Sequence, residues 1–219
     1  YRNLLGYTFG TGFGFGFVMD GRLNLGDNSC VETFCLKHRD YPDILVEDGV
    51  AIRAVKRVYR EMSGDERQLE PKDIFNIAEG SLEGDTAAAK EAFATLGRVA
   101  GDAMATAVTL MDGVIVIGGG LAGAAKYFMP ALLEEMRAQI KTLAGDTLNR
   151  VQMKVYNLDD EAEFKALGAD VKVTTVDGSY GVKGFVTDAL DMDYSYTYSC
   201  GPEPMLKAVY NGTNTSGQF

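Results

Sequence analysis

The stretch that decides the fold is Thr8-Phe-Gly-Thr-Gly-Phe-Gly-Phe-Gly-Phe-Val-Met-Asp-Gly-Arg-Leu23. From Gly14 to Met19, aromatic or apolar residues alternate with glycine and valine, which is the period of a β-strand. Asp20-Gly21 separates this strand from Arg22–Leu25, and Asp-Gly between apolar flanks is a strong hairpin signal. The sequence therefore predicts a β-hairpin that is preceded by a glycine-rich turn.

The glycine-rich turn has a composition that suits an anionic ligand. Alternating glycines leave the main-chain NH groups unshielded, so that they can approach an anionic oxygen, and a hydroxyl adds a further donor. A pair of β- and γ-phosphates, neutralised by NH groups and a metal ion, fits such a turn. The alternative is that the glycines only permit a tight or bulged turn. The candidate phosphate-binding residues are Gly10, Thr11, Gly12 and Gly14.

A second glycine cluster follows the β-branched run Val114–Ile117. Gly118, Gly119 and Gly120 come at the end of this predicted strand, where α/β folds bind ligands and where adenine or ribose could lie against bare backbone. The alternative is a strand-to-helix connection that needs positive φ. An apolar stripe from Leu132 to Leu143 predicts the next helix, and Val151–Tyr156 predicts a returning strand. Residues 114–156 would then form a β-turn-α-β unit.

Three further segments have helical patterns. Apolar residues at near-helical spacing over residues 43–62 predict an amphipathic segment that ends at Ser63-Gly64. Another helix is expected after Pro71. The Ala-rich stretch from Asp85-Thr86 to Met111 predicts a long helix with an Asp or Thr cap, in which Gly97 and Gly101 mark close approach or a bend.

Composition excludes several classes of partner. The chain has 219 residues and a net charge of −10, which argues against nucleic-acid binding and against an anionic membrane surface. It has no apolar run of membrane-spanning length and no signal pattern. Cys30, Cys35 and Cys200 fit a reducing compartment, so a cytoplasmic location is expected. Because the chain begins at Tyr1 without an initiator Met, we also expect a fragment.

Together, the two glycine clusters resemble a known family. Thr8–Leu23, then Gly26-x-Asn28, and later Val114–Leu121 look like the carboxyl-terminal lobe of the ROK proteins (repressor, open reading frame, kinase), which include bacterial sugar kinases and sugar-responsive repressors. The resemblance covers roughly residues 1–166. It implies an α/β lobe of the actin-like, ribonuclease-H-like ATPase fold, with the first cluster at the ATP phosphates and the second at the adenosine. The implied reaction is phosphoryl transfer from Mg-ATP to a hexose hydroxyl.

The sugar-contacting stretch departs from the family pattern. The family's Gly-Glu-Ile-Gly-His stretch should follow Asn28, but the chain reads Ser29-Cys-Val-Glu-Thr-Phe-Cys-Leu-Lys-His38. Asn28, Glu32 and His38 remain the substrate-binding candidates, although a lone His beside Lys37 and Arg39 is more often a solvated surface residue. Cys-x4-Cys-x2-His lacks a fourth zinc ligand, so we expect no metal site there. The sugar itself is not specified by these residues.

No catalytic residue is assigned. By the resemblance, the aspartate that acts as general base belongs to an amino-terminal lobe that would lie before Tyr1, together with the first phosphate loop. The chain as given is therefore expected to be inactive.

The last part of the chain has a different composition. Every arginine lies at or before Arg150. Residues 171–175 predict a strand, followed by the loop Asp177–Gly181, a short helix from about Phe185, a strand at Tyr196–Ser199 and a helix from Glu203. Cys200-Gly201-Pro202 places a thiol and an unshielded turn before that helix. This corner suits a nicotinamide or pyrophosphate, or else is a Pro-capped helix start with a buried Cys.

Residues 167–219 resemble the NAD-binding end of the electron-transfer subunit of dihydroorotate dehydrogenase, a ferredoxin-reductase-like protein. Asp177-Gly-Ser-Tyr-Gly-Val-Lys-Gly-Phe-Val-Thr-Asp188 and Cys200-Gly-Pro-Glu-Pro-Met205 carry this resemblance. It implies a partial Rossmann-like segment in which Cys200, Gly201 and Pro202 lie near the nicotinamide and flavin, and Asp177 and Gly178 near the dinucleotide. NAD and FAD are implied by this resemblance alone.

Two half-families therefore meet near residues 161–169, and we hypothesise that sequence assembly joined them. The predicted domains are 1–166 and 167–219, and the second is expected to dock poorly, with aggregation or partial disorder as the result. Three functions stay open: an incomplete sugar kinase, a sugar-responsive repressor and a flavin-linked NADH electron-transfer component. The expected partners are a small-molecule sugar and a nucleotide, without nucleic acid or membrane, and a homo-oligomer is left open.

Overall fold

The computed structural model describes residues 2–168, 172–190 and 203–212. It divides the chain into two compact units, Tyr1–Val155 and Tyr156–Phe219. The boundary predicted after residue 166 separates the part of the sequence that resembles one family from the part that resembles the other. It is defined by the sequence and not by packing, and it stays a prediction. None of the helices in the described ranges is long and apolar enough to cross a membrane.

The first unit is built on a four-stranded sheet. Its strands are β1 (Leu4–Phe9), β2 (Phe13–Met19), β3 (Arg22–Asn24) and β4 (Val114–Gly118), in the order β3-β2-β1-β4. β2 pairs antiparallel with β1 and β3, which confirms the hairpin, and the Asp20-Gly21 turn has positive φ at both residues. β4 pairs parallel with β1, with Thr8 opposite Gly118. Leu5, Tyr7 and Phe9 are buried at alternate positions, as expected for a strand that turns one face to the core.

Helices cover this sheet and bury a largely apolar core. They are α1 (Glu47–Val50), α2 (Ile52–Ser63), α3 (Pro71–Ala78), α4 (Thr86–Met111) and α5 (Ala125–Met136), and a 3₁₀ turn at Ala122–Ala124 precedes α5. The Asp85 carboxylate caps α4 by accepting a hydrogen bond from the Ala88 NH at 2.9 Å. A Cβ at Gly97 would meet the Phe128 carbonyl, which confirms the predicted close approach of α4 to a neighbour.

Two predictions for residues 132–156 are wrong. The helix ends at Met136, and Ile140 lies instead in a small hairpin of β5 (Gln139–Lys141) and β6 (Thr147–Asn149), where Leu143 is fully exposed. The apolar spacing continues past Met136, which is the last residue of the helix and is buried in the core. Val151–Tyr156 forms no strand; only Val151 is fully buried, and Val155 accepts hydrogen bonds from the Arg137 guanidinium through its carbonyl. The predicted β-turn-α-β unit therefore lacks its second strand.

The second unit contains short elements in the ranges that the structure describes. They are α6 (Glu161–Ala166), β7 (Thr174–Thr175), β8 (Val182–Lys183), a 3₁₀ helix at Val186–Ala189 and α7 (Glu203–Gly212). The helix predicted from Glu203 is confirmed. Of the strand predicted over 171–175, the described residues 172–175 form a strand only at Thr174–Thr175, and residue 171 lies outside the described residues. β7 and β8 pair in parallel. The strand predicted at 196–199 lies outside the described residues.

Candidate functional site

The two glycine clusters lie side by side at one edge of the sheet. Because β1 and β4 are parallel, the residues that follow both strands come out at the same edge. The Leu121 NH donates a hydrogen bond to the Phe9 carbonyl at 3.0 Å, which joins the second cluster to the start of the first. Residues that lie more than one hundred positions apart in the sequence are thereby brought into one site.

Gly119 is the point of closest approach between the clusters. Its φ is +93°, and a Cβ at this position would lie 2.5 Å from the Phe9 carbonyl oxygen. The positive φ considered for this connection is therefore present at Gly119. Only glycine fits both the backbone conformation and the space at this position.

A cavity of about 400 Å³ opens in front of the first cluster. Two carboxylates lie in its wall, those of Glu32 and Glu47, and the Phe34 ring closes one side. Gly118 does not line it, since this residue is still part of β4 and pairs with Thr8. The predicted residues that line this cavity are Gly10, Thr11, Gly12, Gly14, Gly119 and Glu32.

Glu47 on α1 fixes the shape of the glycine-rich turn. Its Oε2 accepts a hydrogen bond from the Phe13 NH at 3.0 Å, and its Oε1 lies 2.9 Å from Nη2 of Arg53. Arg53 in turn donates to the Thr11 carbonyl at 3.2 Å. The bond from Arg53, and next the bond from the Phe13 NH, hold the pKa of Glu47 below its ordinary value. The carboxylate therefore stays charged and holds the turn at neutral pH.

A second cavity of about 210 Å³ lies beside Gly120. Its walls include the rings of Phe75 on α3 and Phe93 on α4, which contact each other edge to face at 6.4 Å, and the Lys72 side chain. A Cβ at Gly120 would meet no atom within 4 Å, so the backbone here is open to the cavity. A flat, partly apolar group fits between such an aromatic wall and bare backbone.

Two of the three sugar-binding candidates lie away from the first cavity. Asn28 is exposed in the loop after β3. His38 is buried at 4% exposure, with its ring against Gly49 and 5.1 Å from the Tyr41 ring, so the expectation of a solvated surface histidine is wrong. Its neighbours Lys37 and Arg39 are exposed, and the alternation of a short extended segment turns the imidazole inward. Its predicted role in sugar binding stays a prediction.

The loop predicted to contact a dinucleotide uses its NH groups internally. The Gly178 NH donates to the Thr175 carbonyl at 3.1 Å, and the Asp177 carboxylate accepts from the Ser179 NH at 3.0 Å, which holds the pKa of Asp177 below its ordinary value. These two NH groups are not free to cradle a phosphate. Cys200, Gly201 and Pro202 lie outside the described residues.

Sequence reasoning missed several residues of the site. Glu47 and Arg53 lie in the stretch 43–62 that is predicted only as an amphipathic segment, and no sequence pattern connects Glu47 to Phe13. Phe75 and Phe93 lie in two stretches that predict helices, and their spacing does not indicate that the two rings share one cavity. One pattern in the sequence could have drawn attention to Arg53, because the basic residues from Arg53 to Arg60 recur at the spacing of a single helical face.

Comparison with known proteins identifies the class. The sequence profile of the ROK family matches residues 46–173, which is more than half of the chain. The chain belongs to the ROK family, and its α/β fold is that of the ROK sugar kinases.

Individual relatives fall into two groups. A glucokinase from Parabacteroides distasonis is 49% identical with a TM-score of 0.70, over 83% of this chain and 50% of that one. A putative sugar kinase from Cytophaga hutchinsonii is 26% identical with a TM-score of 0.54, over 62% and 47%. The electron-transfer subunit of dihydroorotate dehydrogenase B (NAD(+)) from Shouchella clausii is 39% identical over 99 residues, 44% of this chain and 36% of that protein. The chain thus spans half or less of each of these relatives.

Proposed function

We propose that the first unit is the nucleotide-binding part of an ATP-dependent sugar kinase, which transfers a phosphoryl group to a hexose hydroxyl. The observation that carries this proposal is the contact between the two glycine clusters through Phe9, Gly119 and Leu121, which places an NH-rich turn beside an aromatic-walled cavity. Identity of 49% to a glucokinase supports a kinase over a repressor. The sugar-responsive repressor remains the alternative on the same fold.

The two cavities match the two ends of a nucleotide. Within the turn from Gly10 to Gly14, the Gly10 NH donates to the Gly12 carbonyl at 3.1 Å and the Phe13 NH donates to Glu47. The groups proposed to face the phosphate oxygens are therefore the NH groups of Thr11 and Gly12 and the Thr11 hydroxyl. The cavity beside Gly120 offers the Phe75 and Phe93 rings to a base. Gly119 would then lie beneath the link between the phosphates and the adenosine.

Magnesium fits this site as an ion carried by the nucleotide. The described residues contain no group of three His, Cys, Asp or Glu side chains placed to hold a metal, and Glu47 is already engaged by Arg53 and the Phe13 NH. Glu32 supplies a further carboxylate in the wall of the cavity. When bound with the phosphates, Mg²⁺ supplies charge neutralisation during phosphoryl transfer.

We propose that the hexose binds at the end of the sheet where the phosphates would lie. Glu32 lines the phosphate cavity, and its carboxylate can accept hydrogen bonds from sugar hydroxyls. Asn28 and His38 stay candidates, although neither lines that cavity. No described carboxylate is assigned as the general base, so the proposal for this chain is nucleotide and sugar binding within a kinase.

The test is calorimetric titration with Mg-ADP. Gly10→Val should abolish binding, because a Cβ at Gly10 meets no atom within 4 Å and the new side chain would fill the cavity instead of disturbing the fold. Gly16→Val on β2 is the matched control, since a Cβ there is equally free of contacts and Gly16 lies outside the cavity. Equal affinity in the two variants, or no binding by the unmodified chain, would contradict the proposal.

A second candidate function rests on the C-terminal part of the chain. We infer pyridine-nucleotide binding there from the motifs at Asp177–Asp188 and Cys200–Met205, together with 39% identity over 99 residues of the chain to the electron-transfer subunit of dihydroorotate dehydrogenase B (NAD(+)). The loop at Asp177 and Gly178 adds no geometric support, because its NH groups are used internally. Titration with NADH, followed by nicotinamide fluorescence, tests the inference; unchanged fluorescence together with no flavin absorbance would refute it.

A further inference from the structure

The basic face of α2 lines a cavity that the proposed kinase function does not use. Arg53, Lys56, Arg57 and Arg60 follow the i, i+3, i+4, i+7 spacing that places side chains on one face of a helix. All four line a cavity of about 370 Å³ between α2 and the loop that precedes α3. Arg67 from that loop supplies a fifth cation on the facing wall.

The facing wall is held in place by specific contacts. The Arg67 guanidinium donates to both oxygens of Asp65, with Nε 2.9 Å from Oδ1, and to the Glu83 carbonyl at 2.8 Å. Asp65 is itself held by the Tyr59 hydroxyl, which donates to its Oδ2 at 3.1 Å. Because the guanidinium is already fixed, little side-chain entropy is lost when a ligand binds to it.

The charges in the cavity favour an anion. Its lining contains five cationic side chains and one carboxylate, that of Asp65, in a chain whose net charge is −10. Lys56 and Arg57 pair with Glu70 and Glu61, at 2.6 and 3.3 Å, but these pairs are exposed. Exposed pairs contribute little to stability, so a doubly charged ligand can compete with them.

Arg60 is the residue most available to a ligand. It is exposed and, within the part of the chain that the structure describes, it makes no hydrogen bond or ion pair with another side chain. Its neighbours on the same face all have a carboxylate partner. An arginine left free among paired cations gives the cavity a net attraction for phosphate.

The basic cavity and the phosphate turn adjoin each other. Thr11 lines both cavities, and Arg53 donates to the Thr11 carbonyl from the basic side. We propose that the basic cavity binds a phosphate-bearing small molecule. Its anionic groups would lie between Arg60 and Arg57 on α2 and Arg67 on the loop. This site goes beyond the proposed nucleotide site, which is formed by the glycine clusters.

The test is titration of the full chain with tripolyphosphate at constant ionic strength, so that screening is the same in every arm. Arg60→Gln should weaken binding roughly tenfold, as expected for the loss of one charge-assisted contact. Arg22→Gln is the matched control, because it removes the same charge from the β3 hairpin. The affinity of this variant for tripolyphosphate should stay within about twofold of that of the unmodified chain. No binding by the unmodified chain, or equal weakening by both substitutions, would overturn the proposal.

A parallel titration with Mg-ADP identifies the source of the phosphate. If Arg60→Gln weakens tripolyphosphate alone, the cavity takes a separate phosphorylated ligand. If it weakens both, the cavity takes the phosphate tail of the nucleotide itself; either result supports the site. Gly10→Val separates this proposal from the kinase proposal, because it should remove Mg-ADP binding and retain tripolyphosphate. Loss of tripolyphosphate in Gly10→Val but not in Arg60→Gln would place the anion in the phosphate turn and overturn the proposal.

Discussion

The carboxylate of Glu47 accepts a hydrogen bond from the main-chain NH of Phe13 at 3.0 Å, across 34 residues of sequence. Phe13 is the first residue of β2, and its NH lies where the glycine-rich turn re-enters the sheet. A Cβ at Gly12 would lie 2.8 Å from the same carboxylate. Helix α1 therefore acts as a support for the turn, although it has only one turn of its own.

Replacement of Glu47 should loosen the turn. Glu47→Gln keeps the size of the side chain but weakens its bonds to Arg53 and to the Phe13 NH, so we expect a loss of about 1 to 2 kcal/mol in the free energy of unfolding. Mg-ADP affinity should fall as well. Asp48→Asn is the matched control, because Asp48 contacts the same Arg53 at 2.6 Å but does not touch the turn, and it should cost about 0.5 kcal/mol or less. Equal losses in urea unfolding would contradict the supporting role of Glu47.

Gly119 and Gly120 should differ sharply in their tolerance of a methyl group. Gly119→Ala introduces a Cβ 2.5 Å from the Phe9 carbonyl oxygen at a φ of +93°, and we expect about 2 to 4 kcal/mol of destabilisation. Gly120→Ala meets no atom within 4 Å and should change the free energy of unfolding by about 0.5 kcal/mol or less. Urea unfolding of the pair measures the difference. A similar loss at Gly120 would mean that the close approach of the two clusters is not centred on Gly119.

Local patterns predicted the parts of the fold that depend on local chemistry. The Asp20-Gly21 turn, the capped start of α4 at Asp85 and the helix after Pro71 all follow from residues that set their own backbone conformation. The predictions at Leu143 and at 151–156 were wrong because apolar spacing alone does not determine whether a segment reaches the core. Leu143 has the helical spacing but nothing to pack against.

The sequence predicted the glycine clusters, Thr11 and Glu32 as parts of the candidate site, and all of them contribute residues to the first cavity or its neighbourhood. The glycine clusters stand out in the sequence because glycine has no side chain to shield its backbone. The Glu47 carboxylate and the Phe75 ring belong to helices whose patterns also fit simple packing, so only the folded chain shows which atoms they face. His38 was misjudged because its charged neighbours describe the surface beside it and not the inward direction of its ring.

Two buried tyrosines should respond oppositely to loss of the hydroxyl. The Tyr7 hydroxyl is buried and makes no hydrogen bond within the described part of the chain. The nearby Thr33 hydroxyl is also buried and does not meet hydrogen-bond geometry with it. Burial raises the pKa of Tyr7. Tyr59, equally buried, donates to Asp65 and accepts from the Asp85 NH. Tyr7→Phe should be neutral or stabilising by up to about 1 kcal/mol, whereas Tyr59→Phe should cost about 1 kcal/mol. Urea unfolding of both variants measures this, and a loss at Tyr7 equal to that at Tyr59 would reveal a bonded hydroxyl.

The buried imidazole of His38 should make the free energy of unfolding depend on pH in the range where histidine titrates. The sequence has one histidine, so no other imidazole contributes in that range. Burial is the largest cause that lowers the pKa of His38 from the ordinary 6.5. The charges of Arg57 and Arg39 lower the pKa further, whereas those of Asp40 and Asp102 raise it. Nδ1 also accepts a hydrogen bond from the Asp40 NH at 3.2 Å, which requires that nitrogen to be unprotonated.

Below about pH 6.5 the unfolded chain binds a proton at this histidine that the folded chain does not bind. The stabilisation is therefore complete above the unfolded pKa and is lost progressively as the pH falls toward the lowered, folded pKa. His38→Asn keeps an acceptor for the Asp40 NH but does not titrate, so its unfolding free energy should be flat between about pH 7 and 5.5, where unperturbed carboxylates do not titrate. Urea unfolding at several pH values gives the two slopes, and an equal slope in the variant would assign the pH dependence to other groups.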